Sequence, residues 1–269
     1  MNILIDGSSM VRRPTGVGQY ARQLLARLVQ RNPDDQFSLF AFLFFGKRPF
    51  GEPFTRAPNV SSRYIRYLPG RVYNLLLLLG VPLPVDLLVW QKPDVVIYPN
   101  FVRLPLLSRA KTITVIHDLC FVVHPEFVDE SRFARILPKQ MPRTLRNSTR
   151  IVAVSESTKE EIVRHYGVEP SRITVITPAV DHAVCAPAAA EEVDRVRRKY
   201  RIEKDYLLFL GSLDPRKNVT GVVEAFSALP GHLKDRYQLV LAGAKGSWVY
   251  PERDRLLERA PSNVVRAHV

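Results

Sequence analysis

The chain has 269 residues, 46% of them hydrophobic and 24% charged, enough apolar material for a buried core and too much for a disordered polymer. Lysine and arginine number 39 against 26 acidic residues, a formal charge of +13 that draws phosphates, nucleic acid or an anionic membrane surface without constraining the fold. Cys120 and Cys185 are the only cysteines, with no CxxC pair, which argues against a disulfide framework or a structural zinc site and for a reducing cytosol.

The run Asn2 to Ile5 reads as a strand, too short and lacking a basic leader for a signal peptide. A loop with Gly7, Pro14, Gly16 and Gly18 leads into a helix whose apolar face holds Val17, Tyr20, Leu24, Leu25 and Leu28. Gln36 to Phe45 predicts a buried strand, and Val60 to Tyr67 one that is half exposed. The apolar stretch Val72 to Trp90 is cut by Gly80, Pro82, Pro84 and Asp86, which excludes a bilayer helix of ~20 residues. Strands follow at Asp94 to Tyr98, Thr112 to His117, Ile151 to Val154 and Ile173 to Ile176, with a helix capped by Ser155 or Ser157 running to about Tyr166. Strands spaced by helices in this way predict parallel βαβ units and a doubly wound sheet.

Between Thr177 and Ala190 the periodicity stops, and Pro178 and Pro187 mark an interdomain connection. We divide the chain there, into residues 1–178 and 179–269. The rhythm restarts with a helix at Glu191 to Tyr200, strands at Tyr206 to Leu210, Tyr237 to Ala242 and Val264 to Arg266, and helices at Val219 to Leu229 and near Glu252 to Glu258. This second domain is expected to be incomplete, because three strands leave a parallel sheet half covered. Residues 1–180 hold 24 Lys/Arg against 14 Asp/Glu, so most of the positive charge belongs to the first domain.

Ligands of open α/β sheets bind at the carboxyl ends of the strands. The first such loop carries Gly16 and Gly18, where backbone N–H groups and a helix start could meet a phosphate, although the spacing matches neither GxGxxG nor a P-loop and a plain tight turn is an equal reading. His117 and Asp118 end a strand, where the imidazole can hydrogen-bond a sugar hydroxyl or phosphate or simply a backbone carbonyl. His124, before Pro125, reads as a loop residue. Arg216 and Lys217 precede a helix that Asn218 can cap, a gathering of cations and N–H donors that suits a diphosphate better than a solvated turn.

Five segments in order carry a resemblance: Thr-Gly-Val-Gly-Gln-Tyr from Thr15, Val-Ile-His-Asp-Leu from Val115, Ile-Val-Ala-Val-Ser-Glu-Ser-Thr from Ile151, Thr-Pro-Ala-Val-Asp from Thr177, and Gly-Ser-Leu-Asp-Pro-Arg-Lys-Asn from Gly211. Together they make the chain similar to family 4 glycosyltransferases. The resemblance implies a GT-B architecture, two Rossmann-like domains with the acceptor mostly on the first and a nucleotide sugar, GDP- or UDP-linked, mostly on the second. It implies catalytic roles for His117, Arg216 and Lys217: the two cations hold the donor diphosphate and stabilise the leaving group, and His117 contacts the transferred sugar. Gly16 and Gly18 would approach donor phosphates or acceptor, and Asp118 belongs to the acceptor side. No metal and no cofactor is implied, configuration is retained, and no protein nucleophile is nominated. The chain departs from the family in ending short of about 350 to 400 residues, a length typical of two full domains. The acidic pair that binds the ribose and donor sugar is therefore missing, since Glu252 and Glu258 do not substitute for it, and Ala179 stands where the family favours glycine.

Arg132, Arg135, Lys139, Arg143 and Arg146 recur at helical steps, with Pro138 and Pro142 expected to kink the helix. With Arg63, Arg66 and Arg71 they admit two readings, a solvated face or a surface resting on an anionic bilayer beside a lipid-linked acceptor. No nucleic-acid-binding pattern accompanies the charge. The sequence thus points to a retaining hexosyltransferase, with mannose as the donor sugar, acting on a glycan or lipid-linked acceptor in envelope polysaccharide synthesis. We expect it in the cytoplasm or peripheral on the inner face of the plasma membrane. The competing reading is a non-catalytic chain that binds an acceptor or membrane surface.

Overall fold

A strand covered on both faces has no need to alternate polar with apolar side chains. Ile3, Leu4 and Ile5 are all buried, and β1 (Asn2–Asp6) accordingly lies in the interior of a sheet. The computed structural model describes residues 1–11, 15–44, 50–51, 54, 56–127, 132–180, 185–213, 217–243 and 264–267. It divides the chain into a first unit, Met1–Pro125 with Glu130–Ala179, and a second unit built on Val180–Val269.

The first unit holds seven parallel strands in the order β3-β2-β1-β4-β5-β6-β7, the others being β2 (Gln36–Phe42), β3 (Val60–Ile65), β4 (Val95–Tyr98), β5 (Lys111–Ile116), β6 (Arg150–Ala153) and β7 (Ile173–Val175). The order reverses between β1 and β4, which makes their carboxyl ends the topological switch point of a doubly wound sheet. On one face α1 (Gly16–Arg31) seats Ala21, Leu25 and Val29 against Ile3, Ile5, Phe37, Leu39 and Ile97. Its buried line is Gly18, Ala21, Leu25 and Val29, and Tyr20, Leu24 and Leu28 are only partly covered. The expected face is thus right at Leu25 and Leu28, which pack on this core, and is rotated from the most buried line at its other positions, where the small residues Gly18 and Ala21 lie closest to the sheet. On the opposite face α2 (Gly70–Leu78) and α3 (Val85–Leu88) cover Leu4, Phe40, Val96 and Tyr98.

After the short helix α4 (Cys120–Val123), the basic helix α5 (Arg132–Asn147) continues through Pro138 and Pro142, the positions at which a kink was expected. Both prolines lie on its exposed side, and Ile136, Leu137, Met141 and Leu145 are buried on the other. The carbonyls that lose an N–H partner thus face water, which reduces the cost of an interior proline. Arg172 donates to the carbonyls of Leu145 (2.7 Å), Arg146 and Ser148 and so closes the helix end. Ser155, not Ser157, caps α6 (Glu156–Tyr166), accepting the Thr158 N–H at 3.1 Å. The strand expected over Gln36 to Phe45 ends at Phe42.

In the second unit β8 (Asp205–Leu210), β9 (Tyr237–Ala242) and β10 (Val264–Ala267) form a parallel sheet in the order β10-β9-β8. The helices are α7 (Ala190–Tyr200), α8 (Val219–Ser227) and α9 (Gly231–Arg236), and the helix expected near Glu252 lies outside the described residues. Val219, Val223 and Phe226 of α8 pack on Leu239 and Leu241. At the edge strand β8, Leu208 is 56% and Leu210 75% exposed, apolar surface of the kind a half-covered parallel sheet displays. Among the described residues no helix is long and apolar enough to cross a membrane.

Asp86, buried in α3, accepts N–H bonds from Leu87 (3.1 Å), Leu107 (2.9 Å) and Ser108 (2.8 Å), pinning the segment that follows β4. Burial alone pushes its carboxyl up, and these bonds outweigh that effect and hold it below the usual carboxylate value. Because the folded value is the lower one, the stability it confers is complete above the unfolded pKa and is lost as the pH falls through the folded value. We expect Asp86→Ala to destabilise the first unit by about 1–3 kcal/mol at neutral pH. Urea melts at neutral and acidic pH check this, and the gap between variant and parent should narrow in acid.

Candidate functional site

At the switch point, the chain leaves β1 through Gly7, whose N–H donates to Phe40 O at 2.8 Å. A Cβ at Gly7 would lie 2.2 Å from a Phe50 ring carbon, so this position is closed to any side chain. Thr15 then caps α1, its Oγ1 accepting the Gly18 N–H at 3.1 Å. A Cβ at Gly18 would stand 2.6 Å from Ser9 O. Gly18 therefore serves packing and capping, and its N–H is already spent. Gly16 is different: it is exposed, nothing lies within 4 Å of a Cβ placed there, and its N–H belongs to the unpaired first turn of a long helix. Of the two glycines singled out from sequence, the first is the one left open toward an anion.

His117 follows β5. Its Nε2 lies 2.9 Å from Pro99 O, and since a carbonyl only accepts, that nitrogen carries the proton. The ring stands edge-on to Tyr20 (5.0 Å between centroids) and Phe101 (5.6 Å). Burial pushes its pKa below the ordinary histidine value, against smaller opposing effects of the Pro99 bond and of Asp118. The imidazole is thus neutral near pH 7, with Nδ1 as a hydrogen-bond acceptor for a hydroxyl. Its own carbonyl accepts from Thr158 Oγ1 at 3.3 Å, which ties the end of β5 to the first turn of α6. Asp118 Oδ1 accepts the Cys120 N–H at 3.1 Å, a local turn that sets the direction of the loop. His124 is exposed in the loop beyond.

Sequence reasoning missed two residues here. Ser9 Oγ and Tyr20 OH are buried and have no hydrogen-bond partner among the described residues, an uncommon condition for buried polar groups. Tyr20 had been assigned to the core face of its helix on size alone.

In the second unit the corresponding loop follows β8. The Gly211 N–H donates to Ala242 O at 2.9 Å, and a Cβ at Gly243 would fall 1.8 Å from Gly211 O. The ends of β8 and β9 touch backbone to backbone, a constraint with no signal beyond a glycine after a strand. Asn218, left-handed at φ 49, caps α8 by accepting the Gly221 N–H at 3.2 Å, as its position suggested. Lys217 is exposed beside that helix start, and Leu213 anchors the loop in the core. Arg216 lies outside the described residues, as do the side chains of Arg132 and Arg135. Among the described residues no three His, Cys, Asp or Glu gather as a metal-binding group.

Two parallel-sheet units, the first of them doubly wound about a switch point between β1 and β4, define an open α/β protein of Rossmann-like type. Residues 14–184 match the model of Glycosyltransferase Family 4 and residues 192–268 that of Glycosyl transferases group 1, and the chain belongs to the family 4 glycosyltransferases. It is 27% identical over 270 residues to O-antigen chain mannosyltransferase B of Escherichia coli, covering 95% of this chain and 68% of that relative. Serotype-specific mannosyltransferase WbdA of Escherichia coli is 31% identical over 156 residues, 56% of this chain and 18% of WbdA. Among solved structures, WaaG, a glycosyltransferase involved in lipopolysaccharide biosynthesis, superposes with a TM-score of 0.67 at 17% identity, over 99% of this chain and 70% of WaaG. Anabaena Alr3699/HepE in complex with UDP-glucose gives 0.62 at 14%, over 100% of this chain and 69% of that one. These likenesses establish a GT-B fold, of which the chain spans about 70%.

Gly243→Ala should separate β8 from β9 and cost about 1–3 kcal/mol, the usual penalty of forcing an atom into a filled site. Thermal unfolding checks this, with Gly231→Ala as the comparison, since nothing lies within 4 Å of a Cβ there.

Proposed function

We propose that the chain transfers a hexose, mannose by analogy with the relatives, from a nucleotide sugar to a glycan or lipid-linked acceptor in cell-envelope polysaccharide synthesis. The observation that carries this reading is the neutral, half-buried His117 packed on Tyr20 of α1, near the start of that helix, in a chain similar to O-antigen chain mannosyltransferase B over 95% of its length. In the reaction the bond from the anomeric carbon to the donor phosphate breaks and a bond to an acceptor oxygen forms, with retained configuration. The acceptor hydroxyl gives up its proton, and the nucleoside diphosphate leaves with added negative charge. Lys217, Arg216 and the first turn of α8 stabilise that charge electrostatically, so the residues assigned to the step call for no metal. His117 Nδ1 accepts a hydrogen bond from a sugar hydroxyl and fixes the ring that reacts. Gly16 approaches the donor phosphates or the acceptor, and Asp118 belongs to the acceptor side. We place the protein in the cytoplasm, at the inner face of the plasma membrane.

A second reading, an acceptor-binding chain without turnover, draws on the exposed apolar face of β8. Isothermal titration of the chain with GDP and UDP separates the two. The transferase reading expects binding that weakens about 10- to 100-fold in Lys217→Ala, the worth of one charge-assisted hydrogen bond. Undetectable binding of both nucleotides to the parent chain favours the second reading.

The pH dependence has a definite sign. With the folded pKa of His117 lowered, its neutral form persists below the ordinary histidine value of about 6.5; the associated stability is complete above that unfolded value and is lost as the pH falls from it through the lower folded value. The acid limb of kcat/KM should lie below about pH 6.5, and His117→Ala should cut kcat by about 10- to 100-fold. An acid limb above that value would remove His117 from the role.

A further inference from the structure

A cavity of about 160 Å³ lies between the end of α2, the segment after β4 and the middle of α5. Its walls include Leu77, Leu78, Arg103, Lys139, Arg143 and Thr144. It shares no residue with the site around Gly16 and His117.

Three cations and no carboxylate line this space, and among the described residues none of the three has an acidic partner. Arg103 is the informative one. Its Nε is buried and makes no hydrogen bond, and its Nη1 reaches Leu104 O only at 3.5 Å. Burial pushes its pKa down and the nearby Arg143 charge adds to that, against an opposing effect of Tyr98. A guanidinium in this condition is costly unless an anion meets it. The backbone around it is held firmly all the same. The Arg103 N–H donates to Thr144 Oγ1 at 3.2 Å, Tyr98 OH to Leu104 O at 3.1 Å, and Asp86 binds the Leu107 and Ser108 N–H groups. The cationic floor is therefore pre-organised, the arrangement of a binding site more than of a loose surface.

The rim is apolar and exposed. Leu75, Leu78, Leu79 and Val81 stand out of the end of α2 and the turn after it, and Leu107 is 71% exposed. A free phosphate has no use for leucines around its site, whereas an amphiphile with an anionic head does. The exposed face of α5, with Lys139, Arg143 and Arg146, extends the positive surface beside this rim.

We propose that this cavity binds the phosphate headgroup of an anionic phospholipid at a bilayer surface, with Arg103, Lys139 and Arg143 on the phosphate and the end of α2 inserted among the acyl chains. The site is separate from the donor and acceptor loops, so it fails or stands independently of the transfer reaction.

The test is co-sedimentation of the full chain with vesicles of phosphatidylcholine alone or with added phosphatidylglycerol. The chain should partition to the phosphatidylglycerol vesicles, and each cation removed in Lys139→Ala and Arg143→Ala should reduce this about fivefold. Arg103→Met should do the same where circular dichroism shows it folded, and the exposed Lys139 and Arg143 variants carry the test if it is not. Leu78→Ser/Leu79→Ser should lower partitioning at unchanged charge. Arg27→Ala/Arg31→Ala, two exposed cations on α1 across the sheet, should bind as the parent does. Equal loss in that control pair means diffuse attraction of a basic protein and overturns the site. Full competition by inorganic phosphate, with the leucine variant binding like the parent, assigns the cavity to a free anion and overturns the lipid.

Discussion

The reversal of strand order between β1 and β4 is the constraint from which the first unit's chemistry follows. Crossovers on the two sides of that point run to opposite faces of the sheet, so the loops leaving β1 and β4 part there. Gly16, Tyr20 and His117 are brought together only because of this parting. The backbone there is then shaped by close contact, Gly7 under Phe50 and Gly18 against Ser9 O, which holds the start of α1 at the crevice. The second unit uses another device for the same end, the approach of Gly243 to Gly211 that holds the β8 loop in place.

Charge resolves in a similar way. The excess of cations in the first unit reads from composition as one attractive field, yet individual arginines have separate employments. Arg22 donates to Phe50 O at 2.6 Å and to Met10 O at 3.2 Å, binding the loop after β1 to α1. Arg172 closes α5. Arg103 is half-buried, its Nε buried and unmatched among the described residues, and it adjoins Lys139 and Arg143 in a cavity. Hydrogen bonding to carbonyls consumes the first two, so the positive surface available to a partner is smaller and more localised than the net charge suggests.

Much of the fold was legible, because period-two and period-3.6 patterns record which faces are buried. The misreadings have physical causes. On α1 the buried line runs through Gly18 and Ala21, since close packing selects small side chains that a hydrophobicity pattern undervalues. On α5 the two prolines lie on the exposed side, a placement that lets the helix continue through them and that the sequence pattern alone did not give. The short helix α9 lacked a pattern long enough to read. Of the site, His117 was legible as a strand-end polar residue, while Ser9, Tyr20 and Gly243 were not, because each matters through a residue distant in the chain or through a partner it lacks.

The sequence by itself determined the succession of strands and helices, the caps at Ser155 and Asn218, and, through five ordered motifs, the family. Those are local or near-local properties, set by backbone preferences and burial periodicity within a dozen residues. Tertiary structure alone decided that Thr15 Oγ1 holds the Gly18 N–H, which tautomer His117 keeps against Pro99 O, and that the Arg103 Nε has no hydrogen-bond partner among the described residues. Hydrogen bonding and desolvation act through distances of a few ångströms between residues far apart in the chain, and only the folded sheet sets those distances.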